Sequence, residues 1–402
     1  MKTTTLKKTR LAAAFGASLL VSQAGADSVL DAFVNGEGGL SFRYRLELVD
    51  QDGFEKKATA STLRTRVDYQ TREYNGLTFY IEAENIAEIL IDNYNAGAGN
   101  SPGNTQYPVV ADPQGTEINQ AWARVALGEN HSLKLGRQRI LLDNERFVGG
   151  VGWRQNEQTY DALSGTFGLG QARLFVAWVS NVNRIFGDDV PAGDNDSSTL
   201  LVNWSRELGS AGKLVVYHYG IDNRDVPAFS TSTYGVKLNG KQASFGYGLE
   251  YATQRDAANN PVDYSADYYR LDVSYDFEPV TVFFGHEVLT GDANTAGAAF
   301  RTPLATLHAF NGWADQFLNT PQAGLKDTFA GFRGRFQGAK WQLVYHDFQA
   351  QDSSAAYGGE LNAVLTKKVN KHLSAMLKAA FYNADAYAAD TTKFWFMLSA
   401  RF

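Results

Sequence analysis

Cysteine is absent from all 402 residues. That excludes a disulfide-stapled fold, so the chain must hold together by its own hydrogen bonds and packing. Histidine is scarce: the six are His131, His218, His286, His308, His346 and His372, and none stands in a recognisable Ser/His pattern. A hydrolase signature is therefore missing, and no enzyme is expected. No His/Cys/Asp spacing suggests a transition-metal site, and no glycine-rich phosphate loop precedes a helix, so neither metal nor cofactor is expected. Past the N-terminal region no window holds 18 consecutive apolar residues, which excludes a transmembrane helix. Basic residues number 37 against 43 acids, a poor balance for binding nucleic acid.

The N-terminus reads as a secretory leader. Lys2, Lys7, Lys8 and Arg10 are followed by the apolar run LAAAFGASLLV and the small residues AGA at 24–26. The expected division is a signal peptide at 1–26 and one domain at 27–402. Removing four leader cations from a formal −6 leaves a mature chain near −10.

Aromatic residues are abundant, with 20 Tyr, 25 Phe and 7 Trp. The chain ends in KFWFMLSARF, where Phe394, Phe396, Leu398, Ala400 and Phe402 alternate with Lys393, Trp395, Met397, Ser399 and Arg401. Period-2 alternation is the mark of a strand with two unlike faces. It recurs in LSFRYRLEL, LRTRVDY, LTFYIEAE, ASFGYGLEY and LSAMLKAAF. About eighteen such segments of roughly ten residues are marked, the length a tilted membrane strand requires. Connections alternate long and short, as in 87–116, 128–131, 142–157, 168–170 and 291–325. The fold class expected is all-β: a transmembrane antiparallel β-barrel of about 18 strands, with short periplasmic turns and long extracellular loops. A soluble sandwich or propeller would turn its apolar face inward and show no such loop rhythm.

In lipid the apolar face points out, so the polar face lines the lumen. The inner wall is then expected to carry Arg43, Arg45, Arg64, Arg66, Arg333 and Arg335, with Glu47, Asp68, Glu82 and Glu84. At this strand number the charged rows are expected to border water. Equal numbers of each sign on the first three strands suggest opposed basic and acidic stripes, with a mild anion preference where Arg333 and Arg335 lack partners. The acid-rich loops 187–196, 221–225 and 254–263 read as solvated, with weak divalent-cation binding as the other reading.

GRQRILLDNERFVGGVGWRQNEQTYDA, residues 136–162, breaks the pattern. Arg137, Arg139, Arg146 and Arg154 sit among Asp143, Glu145, Glu157 and Asp161. Arg137, Arg139, Arg146, Arg154 and Asp161 join the candidate pore-lining residues, although by parity Arg137 and Arg139 face out unless a bulge near Gly136 resets the register or they lie above the membrane. The glycines of FVGGVGW let the loop 142–157 tuck against the wall, where its arginines would narrow the pore. An external loop whose charges pair with one another is the other possibility.

This stretch resembles the signature of the alginate-export family of outer-membrane proteins. The matching residues are Gly136-Arg137-Gln138, Asp143-Asn144, Arg146-Phe147, Trp153-Arg154-Gln155-Asn156 and Thr159-Tyr160-Asp161, with INQAWARV at 118–125 just upstream. The resemblance implies a monomeric eighteen-stranded barrel with an arginine-rich conduit for an anionic polysaccharide, and an inward-folded loop. One departure is clear: the turn near 369–370 is short, where the alginate exporter has a long loop that gates the pore. The expected function is an outer-membrane channel for anionic or sugar-like solutes, alginate being one candidate. The alternative is a general diffusion porin, and an enzyme barrel is a third reading. The partners expected are the solute, outer-membrane lipid and lipopolysaccharide.

Overall fold

Every segment that alternates polar and apolar residues forms a strand. The computed structural model describes residues 26–402. The leader expected at 1–26 lies outside the described residues except for Ala26, which opens a nine-residue helix, α1 (Ala26–Val34). The first six strands are β1 (Glu37–Gln51), β2 (Ala58–Gln70), β3 (Leu77–Asn93), β4 (Gly115–Ala126), β5 (His131–Gln138) and β6 (Thr159–Leu169). Next come β7 (Ala172–Asn183), β8 (Asp194–Glu207), β9 (Lys213–Ile221), β10 (Thr231–Gln242), β11 (Phe245–Asp256) and β12 (Ser265–Asp276). The wall ends with β13 (Val280–Leu289), β14 (Leu325–Phe336), β15 (Ala339–Gln349), β16 (Ala356–Lys368), β17 (Leu373–Ala384) and β18 (Thr391–Arg401).

Each strand pairs antiparallel with its sequence neighbours, and β1 also pairs with β18, so the 18-stranded sheet closes. Closure leaves no unpaired edge, which is what a sheet surrounded by lipid requires. Leu40 and Phe402 exchange backbone hydrogen bonds of 3.2 and 2.9 Å at the seam, which places both ends of the barrel chain on one rim. That rim carries the short turns, here called the lower end; the long loops rise from the upper end. β3 runs to Asn93, past the expected 86, because its upper end pairs with the start of β2 beyond a bulge between Ala60 and Thr62.

The two faces of the wall are inverted relative to a soluble protein. Val67, Ile81, Leu135, Trp178, Leu249, Leu377 and Phe394 point outward and are exposed. Arg43, Arg45 and Glu47 point inward and are buried. So large a continuous apolar exterior fits contact with lipid tails and not with water. No helix among the described residues is long and apolar enough to cross a membrane. α1 lies on the outside of the lower rim, where Phe33 stacks on the outward Phe79 at 5.8 Å.

The upper half of the lumen is filled by three long loops, 94–114, 139–158 and 290–324. Val148 pairs with Leu304 as an isolated bridge between two of them. Phe147, Val148, Phe300, Leu304 and Phe317 join inward aromatics of the wall, Tyr217, Tyr219, Tyr268, Phe348 and Tyr382, in one buried cluster. The lower half stays open.

Candidate functional site

Strand parity brings the first three strands' charges to one inner surface. The register sets Arg43 opposite Arg64 and Ser41 opposite Arg66, and Arg66 opposite Glu84 with Asp68 opposite Glu82. Because β1 rises and β2 descends, the arginines climb the wall from Arg66 through Arg64 and Arg43 to Arg45. Arg66 pairs with Glu84 and, at 3.2 Å, with Glu157. Arg64 stands 3.8 Å from Glu84. Arg45 pairs with Asp112 of loop 94–114 at 3.0 Å. Arg43 has no carboxylate within 4.0 Å among the described residues; it donates to Gln155 Oε1 at 2.9 Å, to Gly152 O at 2.8 Å and to Arg154 O.

Loop 139–158 supplies the facing surface. Arg139 reaches Glu82 at 2.6 Å and pairs with Glu157. Arg154 bridges Glu47 at 3.2 Å and Asp315 at 3.0 Å. Arg146 reaches the opposite wall, donating to Glu287 at 2.8 Å and to Asn311 at 3.0 Å. Two of the four arginines in the stretch thus find acids within it, and two find acids far along the chain. Tight reversals make this possible: Asp143, Glu145 and Val151 all have positive φ, and Gly150 and Gly152 flank Val151.

The loop groups titrate away from their ordinary values. Burial raises the carboxyls of Asp112 and Glu157, but Arg45 and Arg154 outweigh it at Asp112, and Arg66 and Arg139 at Glu157, so both are held low. Asp315 is held well below the carboxylate range: burial raises it, and His308, Lys393 and Arg154 outweigh that. His308 is pushed well below 6.5, first by burial and then by Lys378 against the pull of Asp315. A neutral His308 satisfies its neighbours in one tautomer. Nδ1–H donates to Asp315 at 2.6 Å while Nε2 accepts from Lys378 Nζ at 2.6 Å. Lys393 donates to Asp315 at 2.9 Å. Trp153 stacks on His308 with ring centroids 4.2 Å apart, and Lys378 and Arg45 lie 4.1 and 4.3 Å from its ring.

Below the loops the lumen holds several cavities. One of about 490 Å³ is lined by Arg64, Arg66, Ser374, Ser399 and Arg401. A second, about 460 Å³, is lined by Lys134, Arg139, Arg173 and Lys213. A third, about 500 Å³, lies beneath Phe310 and Asn311 and is bordered by Arg270 and Arg333. Among the described residues Lys134, Arg173, Lys213, Arg333 and Arg335 have no acid within 4.0 Å. Arg333 lies 5.5 Å from the Phe283 ring.

Several expectations need correction. Arg137 and Asp161 do not line the lumen. They pair with each other at 2.9 Å on the outward face, about a third exposed. The register of β5 runs unbroken through Gly136, so parity keeps Arg137 out while Gln138 turns in to Ser164. The pair sits at the last positions of β5 and β6, at the upper rim with Asn183 and the Ile118 carbonyl, where polar groups find partners. Arg139 lies past the end of β5, and the chain turns it inward. The upper charged rows do not border water: Arg45 and Glu47 are fully covered by the loops. Nor do acids and bases form opposed stripes; they interleave on the same strands and pair locally. Among the described residues no three His, Asp or Glu side chains are grouped to hold a metal ion, in the acid-rich loops or elsewhere.

Asp112, His308 and Asp315 were not foreseen, because they sit in loops that carry no periodic pattern. Lys378 and Lys393 lie on the polar faces of alternating strands, and that signal alone marks them as inward.

The family model for alginate export matches residues 34–283. No curated protein sequence matches the chain. Among solved structures, OccK9 (OpdG) of Pseudomonas aeruginosa superposes with a TM-score of 0.70 at 12% identity, over 92% of this chain and 99% of that one. OccAB2 of Acinetobacter baumannii gives 0.68 at 16% identity, over 92% and 99%. OccAB4 of the same organism gives 0.67 at 14%, over 91% and 98%. At these identities the likeness is one of fold.

Proposed function

Because this chain belongs to the alginate-export family, we propose that it is an outer-membrane channel that prefers anionic, sugar-like solutes. Its short turns face the periplasm and its long loops face outside. The observation that carries the preference is a set of inward cations with no acid within 4.0 Å among the described residues. Arg43 is one of these where loops meet wall, and Lys134, Arg173, Lys213 and Arg333 are the others, lining the cavities below. In a confined channel such charges act more strongly than at an open surface, and salt still screens them. The serine, asparagine and glutamine side chains between them suit hydroxyl groups, and the planar guanidinium forks suit carboxylates.

The reading is of a conduit, with no chemistry performed on the solute. An anionic polysaccharide such as alginate is the cargo that the family suggests; smaller uronates use the same contacts. Reversal potentials in a salt gradient across a planar bilayer test the preference. Anion selectivity at low ionic strength that fades near molar salt is the expected result. Cation selectivity of the unmodified channel refutes it.

A further inference from the structure

We propose that Arg43, Arg45 and Arg64 are a carboxylate-binding row for the travelling solute, and that the backbone carbonyls of residues 152–155 occupy this row at rest. The inference rests on the channel reading above and adds to it a site and an occupant. Four successive carbonyls accept from the three arginines. Gly152 O, at 2.8 Å, and Arg154 O accept from Arg43. Trp153 O accepts from Arg45, and Gln155 O from Arg64 at 3.3 Å. The loop presents these four acceptors from a tight turn, which Arg154 N–H closes by donating to Val151 O at 3.0 Å.

Elsewhere at this seam the protein gives a buried arginine a carboxylate: Asp112 for Arg45, Glu84 for Arg66, Glu47 for Arg154 and Glu287 for Arg146. Arg43, 7% exposed, has only carbonyls and an amide. It also stands directly opposite Arg64, and like charges facing each other across a strand pair are destabilising. A seam built only to close the lumen would place an acid here. A neutral carbonyl is the weaker partner, since it carries no opposite charge and cannot take both prongs of a guanidinium fork as a carboxylate does. A solute carboxylate therefore outcompetes the carbonyl it replaces.

The row can be reached. Arg64 and Arg66 also line the open cavity of about 490 Å³ above Ser41 and Ser399. A carboxylated chain entering from the short-turn side meets Arg66 and Arg64 first, then Arg43 and Arg45. The segment can also yield. Beyond the row it is held by Arg154, paired with Glu47 and Asp315, by Gln155, which donates to Thr62 Oγ1 at 2.8 Å and to Asp112 Oδ1 at 2.8 Å, and by the Trp153 stack on His308. The apolar anchor of the same loop, Phe147 and Val148, lies elsewhere and stays docked. The solute thus opens its own path by taking the place of the carbonyls.

The experiment uses the whole refolded protein in planar bilayers, with oligogalacturonate or a neutral oligosaccharide of equal length added on the short-turn side. The carboxylated oligomer is expected to raise conductance several-fold and the neutral one to leave it unchanged. Arg43→Gln should shift the half-effective concentration roughly tenfold upward, as loss of one charged hydrogen bond implies. The chain has no cysteine, so Thr62→Cys with Gln155→Cys gives a unique, reducible staple with all arginines kept. Oxidised, it should show no response; reduced, it should regain one, which keeps the test open if Arg43→Gln fails to fold. Block or no change by the carboxylated oligomer, in a channel still anion-selective, overturns the inference and leaves the channel reading standing. Cation selectivity in a plain salt gradient overturns the channel reading itself.

Discussion

Loop 139–158 is held on two sides that are built from different materials. Toward β9 and β12 it inserts Phe147, whose ring lies 5.2 Å from both Tyr217 and Tyr268 and 5.9 Å from Phe300 of loop 290–324. Toward β1 and β2 it offers carbonyls, Gln155 and Arg154 to a row of arginines. The apolar side has no competitor in water, so it stays docked. The polar side makes contacts that any anion can also make. One loop thus has a fixed edge and an exchangeable edge, and the exchangeable edge lies against the wall whose charges suit the solute.

The largest effect is expected from breaking the fixed edge. Phe147→Ala removes a buried ring at about 3–5 kcal/mol. It should release the loop and raise single-channel conductance without any solute. The barrel, held by its own closed sheet, should remain heat-modifiable on gels. Conductance like that of the parent would mean that the polar contacts alone keep the loop in place.

A smaller effect is expected in the vestibule below both edges. Arg333 borders the cavity there and Arg335 follows it two residues on along the inward face of β14; neither has an acid within 4.0 Å among the described residues. Changing both to Glu should abolish or reverse the anion preference at low salt with little effect on folding, because neither leaves a buried partner unpaired. Unchanged reversal potentials would show that selectivity is set entirely at the arginine row.

The smallest effect concerns pH and sharpens the polar edge. Docking of loop 139–158 stacks Trp153 on His308 of loop 290–324, which burial and Lys378 keep neutral, well below 6.5. With that cover released an exposed imidazole titrates at about 6.5. Below that value His308 binds a proton in the released state that the docked state refuses, so docking weakens as pH falls. Asp112, Glu157 and Asp315 are held low, so their contribution is complete above their ordinary values of 3.8 and 4.5 and is lost only in stronger acid. Openings should therefore be more frequent at pH 5.5 than at 7.5, and His308→Gln should remove the difference. A pH response that survives His308→Gln would assign it to another group.

The comparison also explains what was legible in the sequence. All eighteen strands could be read because lipid outside and polar lumen inside impose one alternating rule on every segment; LTFYIEAE opens β3 and LSAMLKAAF opens β17. The rule fixes which way a strand residue points, so Arg43, Arg45, Arg64 and Arg66 were placed from parity alone. It says nothing about cover. Arg45 is buried because Trp153 and Asp112, from two different loops, close over it. Arg137 shows the rule used too loosely: its charge suggested the lumen, whereas parity and the strand end put it on the outer rim with Asp161. His308 and Asp315 meet β17 and β18 only through a loop of 35 residues between β13 and β14, and no local pattern predicts such a contact.

The central claim is that solute moves along the arginine wall of β1 and β2 and not beside the aromatic core. A single cysteine in this cysteine-free chain tests it directly. Arg64→Cys, in the vestibule and on the row, and Tyr268→Cys, in the aromatic cluster, are each treated with an anionic methanethiosulfonate during single-channel recording. The expected result is a stepwise fall in conductance for Arg64→Cys and none for Tyr268→Cys. A silent Arg64→Cys with a responsive Tyr268→Cys would contradict the account.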